Sequence, residues 1–136
     1  MKVAVAIISN QLGQVLITQR PQQASHAGLW EFPGGKLEPG ETAEAALVRE
    51  IREEINLNVQ HAALLGEVNH VYPKHAVTLF VFHVTEYTGV PMCCEGQMDL
   101  RWVFLHEITH YSFPEANQQV LQLFENATYR AKEELV

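Results

Sequence analysis

Cysteine is nearly missing from this chain, and the two that occur, Cys93 and Cys94, are neighbours. Adjacent cysteines rarely close a disulfide and offer no zinc-ligand spacing, so a disulfide scaffold and a zinc module are both excluded. A reducing, cytoplasmic setting fits that usage. Basic residues are scarce too: nine Lys and Arg face sixteen Asp and Glu, a formal net charge of -7. That balance argues against a nucleic-acid partner, because gripping a phosphate backbone needs basic patches that displace counterions. No apolar run approaches the length of a membrane span, so no membrane partner is expected. Met1-Lys2 leads directly into Val3–Ile8, which is too short for a signal-peptide core and reads as a first strand. Linkers, internal repeats and low-complexity stretches are absent, so residues 1–136 read as a single domain. With 47% hydrophobic and 18% charged residues, the composition is that of a globular fold. If such an acidic chain handles a phosphate compound, a divalent metal is the expected neutralising agent.

The strand and helix signals alternate in an α+β manner. Val3–Ser9 and Val15–Arg20 flank a Gly-containing turn and read as a hairpin. Pro21–Gly28 is a polar loop, Leu29–Phe32 is extended, and Pro33-Gly34-Gly35 reads as a loop that ends it. Thr42 is an N-cap candidate, and Leu47, Val48, Ile51 and Ile55 recur at helical spacing, which predicts a helix over 43–55. Asn56 is its expected left-handed stop. Asn58–Tyr72 and Val77–Tyr87 predict two paired strands, and 99–104 predicts another. Pro114 is expected to open a second helix that buries Val120, Leu121, Leu123 and Phe124, and the charged tail from Tyr129 to Val136 is expected to fray.

The chemistry-bearing stretch runs from Gly35 to Leu57. On a helix Glu50, Glu53 and Glu54 stand at i, i+3 and i+4, so three carboxylates leave one side and repel unless a cation joins them. Hard oxygen ligands suit Mg2+, with Mn2+ as an alternative. Arg49, four residues before Glu53, can hold that carboxylate in orientation. A solvated acidic helix face is the plain alternative, but an apolar stripe beside the carboxylates and glycines before the helix favour a site.

Gly35, Glu41, Arg49, Glu50, Ile51, Glu53, Glu54 and Leu57 match the Nudix box, with Asn56 standing where the family has Gly. Leu29–Gly35, Glu95-Gly96-Gln97 and Phe113–Asn117 extend the likeness, so the chain resembles the MutT-type Nudix hydrolases along most of its length. The resemblance implies the Nudix fold, an α/β/α sandwich around a mixed β-sheet. It also implies a metal site of Glu50, Glu53, Glu54, Glu95 and the Gly34 carbonyl. Water activated by divalent metal and deprotonated by Glu50 or Glu53 would attack a nucleoside triphosphate, giving monophosphate and pyrophosphate. The small-molecule partner implied is 8-oxo-dGTP, with Arg20, Phe32 and Asn117 matching positions that line the base pocket. Asn suits a purine edge and Phe a base face, although Asn117 could instead cap a helix, Arg20 lie on the surface and Phe32 belong to the core. Leu29–Phe32 and Glu38-Pro39 also resemble Nudix enzymes of pyrimidine triphosphates, which makes CTP or a modified dCTP the rival substrate. A nucleotide-binding module without activity is the third reading, and retention of the box carboxylates speaks against it. The seven histidines lack metal-ligand spacing, Trp30 and Trp102 read as core, and Lys36 and Lys74 as solvated.

Overall fold

In Lys2–Ile8, strand β1, side chains alternate between two apolar layers. Val5 and Ile7 enter one core cluster, and Ala4, Ala6 and Ile8 enter the other. A strand buried on both faces must lie inside a three-layer sandwich. The computed structural model describes residues 1–134, and it places helix α1, Ala43–Ile55, on one face and helix α2, Asn117–Glu134, on the other. Ala46, Leu47, Ile51 and Ile55 of α1 pack with Ala4, Ala6 and Ile8, while Val120 and Phe124 of α2 pack with Val5 and Ile7.

The remaining strands are β2 (Val15–Gln19), β3 (Trp30–Glu31), β4 (Gly34–Lys36), β5 (Asn58–Tyr72), β6 (His75–Thr88) and β7 (Asp99–Val103). They divide into a four-stranded mixed sheet, β4-β1-β6-β5, and a three-stranded sheet, β3-β2-β7. β1 is parallel to β6 and antiparallel to β4. The expected α/β/α sandwich around mixed β-structure is therefore present. The paired strands expected on either side of Pro73-Lys74 are β5 and β6, which join in antiparallel register.

Four expectations change. The hairpin of Val3–Ser9 and Val15–Arg20 closes through a single bridge, Ser9 to Val15, after which β1 and β2 diverge into different sheets. Both strands bury two faces, so each completes its ladder with sequence-distant partners. The supposed loop at Gly34-Gly35 is strand β4, antiparallel to Val3–Val5. The chain turns into α2 at Pro114, where its carbonyl accepts the Asn117 N–H at 3.0 Å, but the helix itself starts at Asn117. The tail expected to fray is helical as far as Glu134, and residues 135–136 lie outside the described ones. Val120 and Phe124 are buried as expected, with Leu121 and Leu123 partly so.

Candidate active site

Helix α1 is fixed at both ends. Thr42 caps it by accepting the Ala45 N–H at 3.1 Å, and Asn56 stops it at φ 64. Its last carbonyls are then taken by the segment between β6 and β7. Met92 N–H donates to Ile55 O at 2.9 Å, and Cys94 N–H and the Gln97 amide each donate to Glu54 O at 3.0 Å. These bonds carry Glu95 back across the helix. One carboxylate oxygen each from Glu50, Glu53 and Glu95 comes within 4.8 Å of the others. Burial raises the proton affinity of Glu95, and the like charges of Glu50 and Glu53 raise it further.

Arg49 governs the other side of this cluster. Its Nε and Nη2 grip Glu41 at 2.8 Å each, Nη1 reaches Glu50 at 2.8 Å and Glu53 at 3.3 Å, and Nη2 also donates to Lys36 O at 3.0 Å. Those hydrogen bonds from Arg49, then one from the Glu38 backbone, hold the Glu41 carboxyl down to about 2. The arginine thus orients Glu53, as its spacing suggested, but it bonds Glu50 and Glu41 more closely. Glu41 was legible as a matching box residue, not as the anchor of Arg49.

Glu54 stands apart from the cluster of three. It is 5% exposed and accepts the Gly34 N–H at 3.1 Å. Burial, then the nearby Glu31 charge, pushes its pKa up to about 8. The approach of β4 to α1 depends on glycine: a Cβ on Gly35 would sit 2.3 Å from the Glu50 carboxyl carbon, and one on Gly34 2.0 Å from Ala4 O. Crowded carboxylate oxygens with one shared guanidinium form a hard donor set that fits a divalent cation. Glu50, Glu53 and Glu95 are placed to hold it, with Glu54 and Gly34 immediately behind.

Gly34 also lines an open cleft on the α2 side, together with Val3, Val5, Glu31, Phe32, Tyr72, Leu79, Phe113, Pro114, Ala116, Asn117 and Val120. Phe32 and Asn117 therefore meet in one cavity. Phe32 is buried, with its ring 5.7 Å from that of Phe113. Asn117 is the first residue of α2, and among the described residues its side-chain amide makes no hydrogen bond. Arg20 is outside the lining; it donates from Nη1 to Glu31 at 3.0 Å and from Nε to Ser25 O at 2.7 Å. Glu31 and Tyr72 are cleft residues that sequence reasoning missed. For Glu31 the available signal was an acid in the segment that follows the Arg20 loop. Trp30 is core, Trp102 is packed at the core's edge, and Lys36 and Lys74 are exposed.

The chain is similar to known proteins along most of its length. A family model described as a NUDIX domain matches residues 3–123. The 8-oxo-dGTP diphosphatase of Escherichia coli K12 is 38% identical over 89% of this chain and 93% of its own length. The CTP pyrophosphohydrolase of the same organism is 35% identical over 88% of each. A MutT structure from a study of Aliivibrio salmonicida and Vibrio cholerae superimposes with a TM-score of 0.77 at 34% identity, covering 93% of this chain and 99% of that one. With a carboxylate cluster on α1, a cleft beside it and likeness along nearly the whole length, the chain belongs to the NUDIX domain family.

Proposed function

We propose that residues 1–136 act as a single catalytic unit that hydrolyses a nucleoside triphosphate, 8-oxo-dGTP foremost, to the monophosphate and pyrophosphate. The observation that carries this reading is the continuity, through Gly34 and Gly35, between the carboxylates of α1 and a largely apolar cleft lined by Phe32 and Asn117. Mg2+, or Mn2+ in its place, would supply charge neutralisation for the phosphates and Lewis acidity toward water. Glu50, Glu53 and Glu95 would hold it, joined by Glu54 and the Gly34 carbonyl. Glu50 and Glu53 are the carboxylates placed to accept the proton of the attacking water. Arg49 keeps both turned toward the cluster and limits their mutual repulsion. Phe32 and Asn117 face the base, and the cleft walls exclude water from it.

Cleansing the nucleotide pool of oxidised guanine is the biological role this activity supports, in a cytoplasm that keeps Cys93 and Cys94 reduced. Both cysteines are unpaired. Among the described residues no helix is long and apolar enough to cross a membrane. The CTP pyrophosphohydrolase relative supports a second reading, the same chemistry on a pyrimidine triphosphate. Metal-dependent pyrophosphate release, measured over a panel of ordinary and oxidised triphosphates, tests both. Preference for 8-oxo-dGTP supports the first reading, preference for CTP the second, and no release with either metal refutes both. Hydrolysis in heavy-oxygen water locates the attack. Label in pyrophosphate marks the middle phosphorus, as expected, and label in the monophosphate marks the first.

A further inference from the structure

Among the described residues Glu31 is the one acidic side chain on the wall of the largely apolar cleft, and a charge in such a place needs partners. It has half of what it needs. Arg20 reaches Oε2 from behind the wall at 3.0 Å and is held there by Ser25, whose carbonyl lies 2.7 Å from Nε and whose hydroxyl lies 3.4 Å from Nη2. Among the described residues no donor reaches Oε1, although the side chain is 29% exposed. Burial favours the neutral form of Glu31, and the Arg20 charge and hydrogen bond favour the ionised one. Glu31, with one oxygen that no donor reaches among the described residues, and Asn117, whose amide makes no hydrogen bond among them, therefore line the same cleft.

A carboxylate accepts hydrogen bonds and donates none. Oxidation of guanine at C8 puts a carbonyl there and turns N7 from a bare acceptor into an N–H donor. N7–H is the donor that the oxidised base has and guanine lacks, so an acceptor can tell the two apart at N7 alone. Facing guanine, the same oxygen meets a lone pair.

We propose that Glu31 is a specificity-determining residue that accepts the N7–H of an oxidised purine, and that Arg20 is a positioning residue that acts through Glu31 without touching the base. The inference rests on the reading of the cleft as a nucleobase site. It departs from the resemblance, which placed Arg20 itself in the base pocket, and it assigns Glu31 a role that the sequence did not suggest.

The test is a double-mutant cycle with Glu31→Gln, Arg20→Met and the double variant, each assayed for kcat/KM on 8-oxo-dGTP and dGTP. Glu31→Gln keeps size and shape and can turn its NH2 group toward N7 of guanine. The selectivity for 8-oxo-dGTP is expected to fall about tenfold or more, through a loss on the oxidised nucleotide that exceeds any change on dGTP. Arg20→Met should lower the same ratio, and the double variant should lose little beyond Glu31→Gln. A fold defect would lower both nucleotides together, so an equal loss on both in Glu31→Gln overturns the proposal. So does an unchanged ratio, and so does additive loss in the double variant, which would put Arg20 on the base independently. The wild-type panel keeps the two levels apart. A wild type that prefers CTP, or that does not discriminate the guanines, defeats the substrate reading before any variant is made. A wild type that prefers 8-oxo-dGTP while the variants leave its ratio intact defeats only the role of Glu31.

Discussion

Glu53 has a side chain 51% exposed and packs against little, yet it is one of three carboxylates converging within 4.8 Å. Charge and packing therefore separate at this residue. Glu53→Gln should lower kcat by about a hundredfold or more, since even an outer partner of a metal ligand is worth 10–100-fold. Stability should change no more than for an ordinary surface substitution, about 0.5 kcal/mol, as read from the thermal midpoint. Near-normal turnover of this variant at saturating Mg2+ would show that α1 does not carry the metal site. Asn117 separates function from folding in another way, because its amide bonds nothing in the described structure and faces the cleft. Asn117→Ala should therefore reduce kcat/KM for 8-oxo-dGTP by about ten- to hundredfold, the effect of one unmatched buried polar group, and reduce it much less for dGTP. Equal losses on the two nucleotides would return Asn117 to a structural part.

Strand β4 sets the distance between the carboxylates and the sheet, and its two glycines meet different obstacles. A methyl group on Gly35 runs into the end of a flexible side chain, Glu50, whereas one on Gly34 runs into the β1 backbone at Ala4 O. Gly35→Ala should accordingly fold with a nearly unchanged midpoint and lose activity as Glu50 is displaced. Gly34→Ala should lower stability by about 2 kcal/mol or more, the range of overpacked interiors, before activity is considered. Denaturant unfolding combined with an activity assay checks the contrast. The same strand shows where the sequence ceases to inform. Helix α1 was readable to its ends, because Thr42, the Leu47–Ile51–Ile55 stripe and Asn56 are local signals acting within a few residues. Two glycines after a proline carry the local signal of a loop. They form a strand because β1, far earlier in the chain, offers Val3–Val5 as a partner. The supposed β1–β2 hairpin failed for the same reason, since pairing with β6 and β7 is non-local. At the site, Glu50, Glu53 and Arg49 were legible from helical spacing. Glu95 was legible only through resemblance, because the hydrogen bonds of Met92, Cys94 and Gln97 that return it to α1 leave no periodic trace.

The molecule as a whole is a sandwich whose two helices approach the site from opposite faces, α1 with carboxylates and α2 with Asn117, and the mixed sheet holds them apart. Glu54 lies on the α1 side of this arrangement with its pKa about 8, against an ordinary 4.5, so it couples the fold to protons and to metal. The sign follows from proton counting. Between pH 4.5 and about 8 the folded chain keeps a proton on Glu54 that the unfolded chain has released, so folding is favoured at the acid end of this window and weakened as pH rises through it. Glu41 acts oppositely, but its window lies lower. Its folded pKa of about 2 gives stability that is full above 4.5 and lost only as pH falls toward 2. Partly buried His83, whose proton affinity is lowered, opposes the Glu54 effect below its ordinary 6.5. In chelator-treated protein the thermal midpoint should therefore decline from about pH 6.5 to about pH 8, and Glu54→Gln, which retains an acceptor for the Gly34 N–H, should flatten that decline. Added Mg2+ should raise the midpoint more at the alkaline end, because a cation binds the deprotonated carboxylate and must displace a proton at the acid end. A midpoint flat across the window, in wild type and variant alike, would mean that Glu54 titrates as an ordinary surface acid and that its burial does not link the core to the metal site.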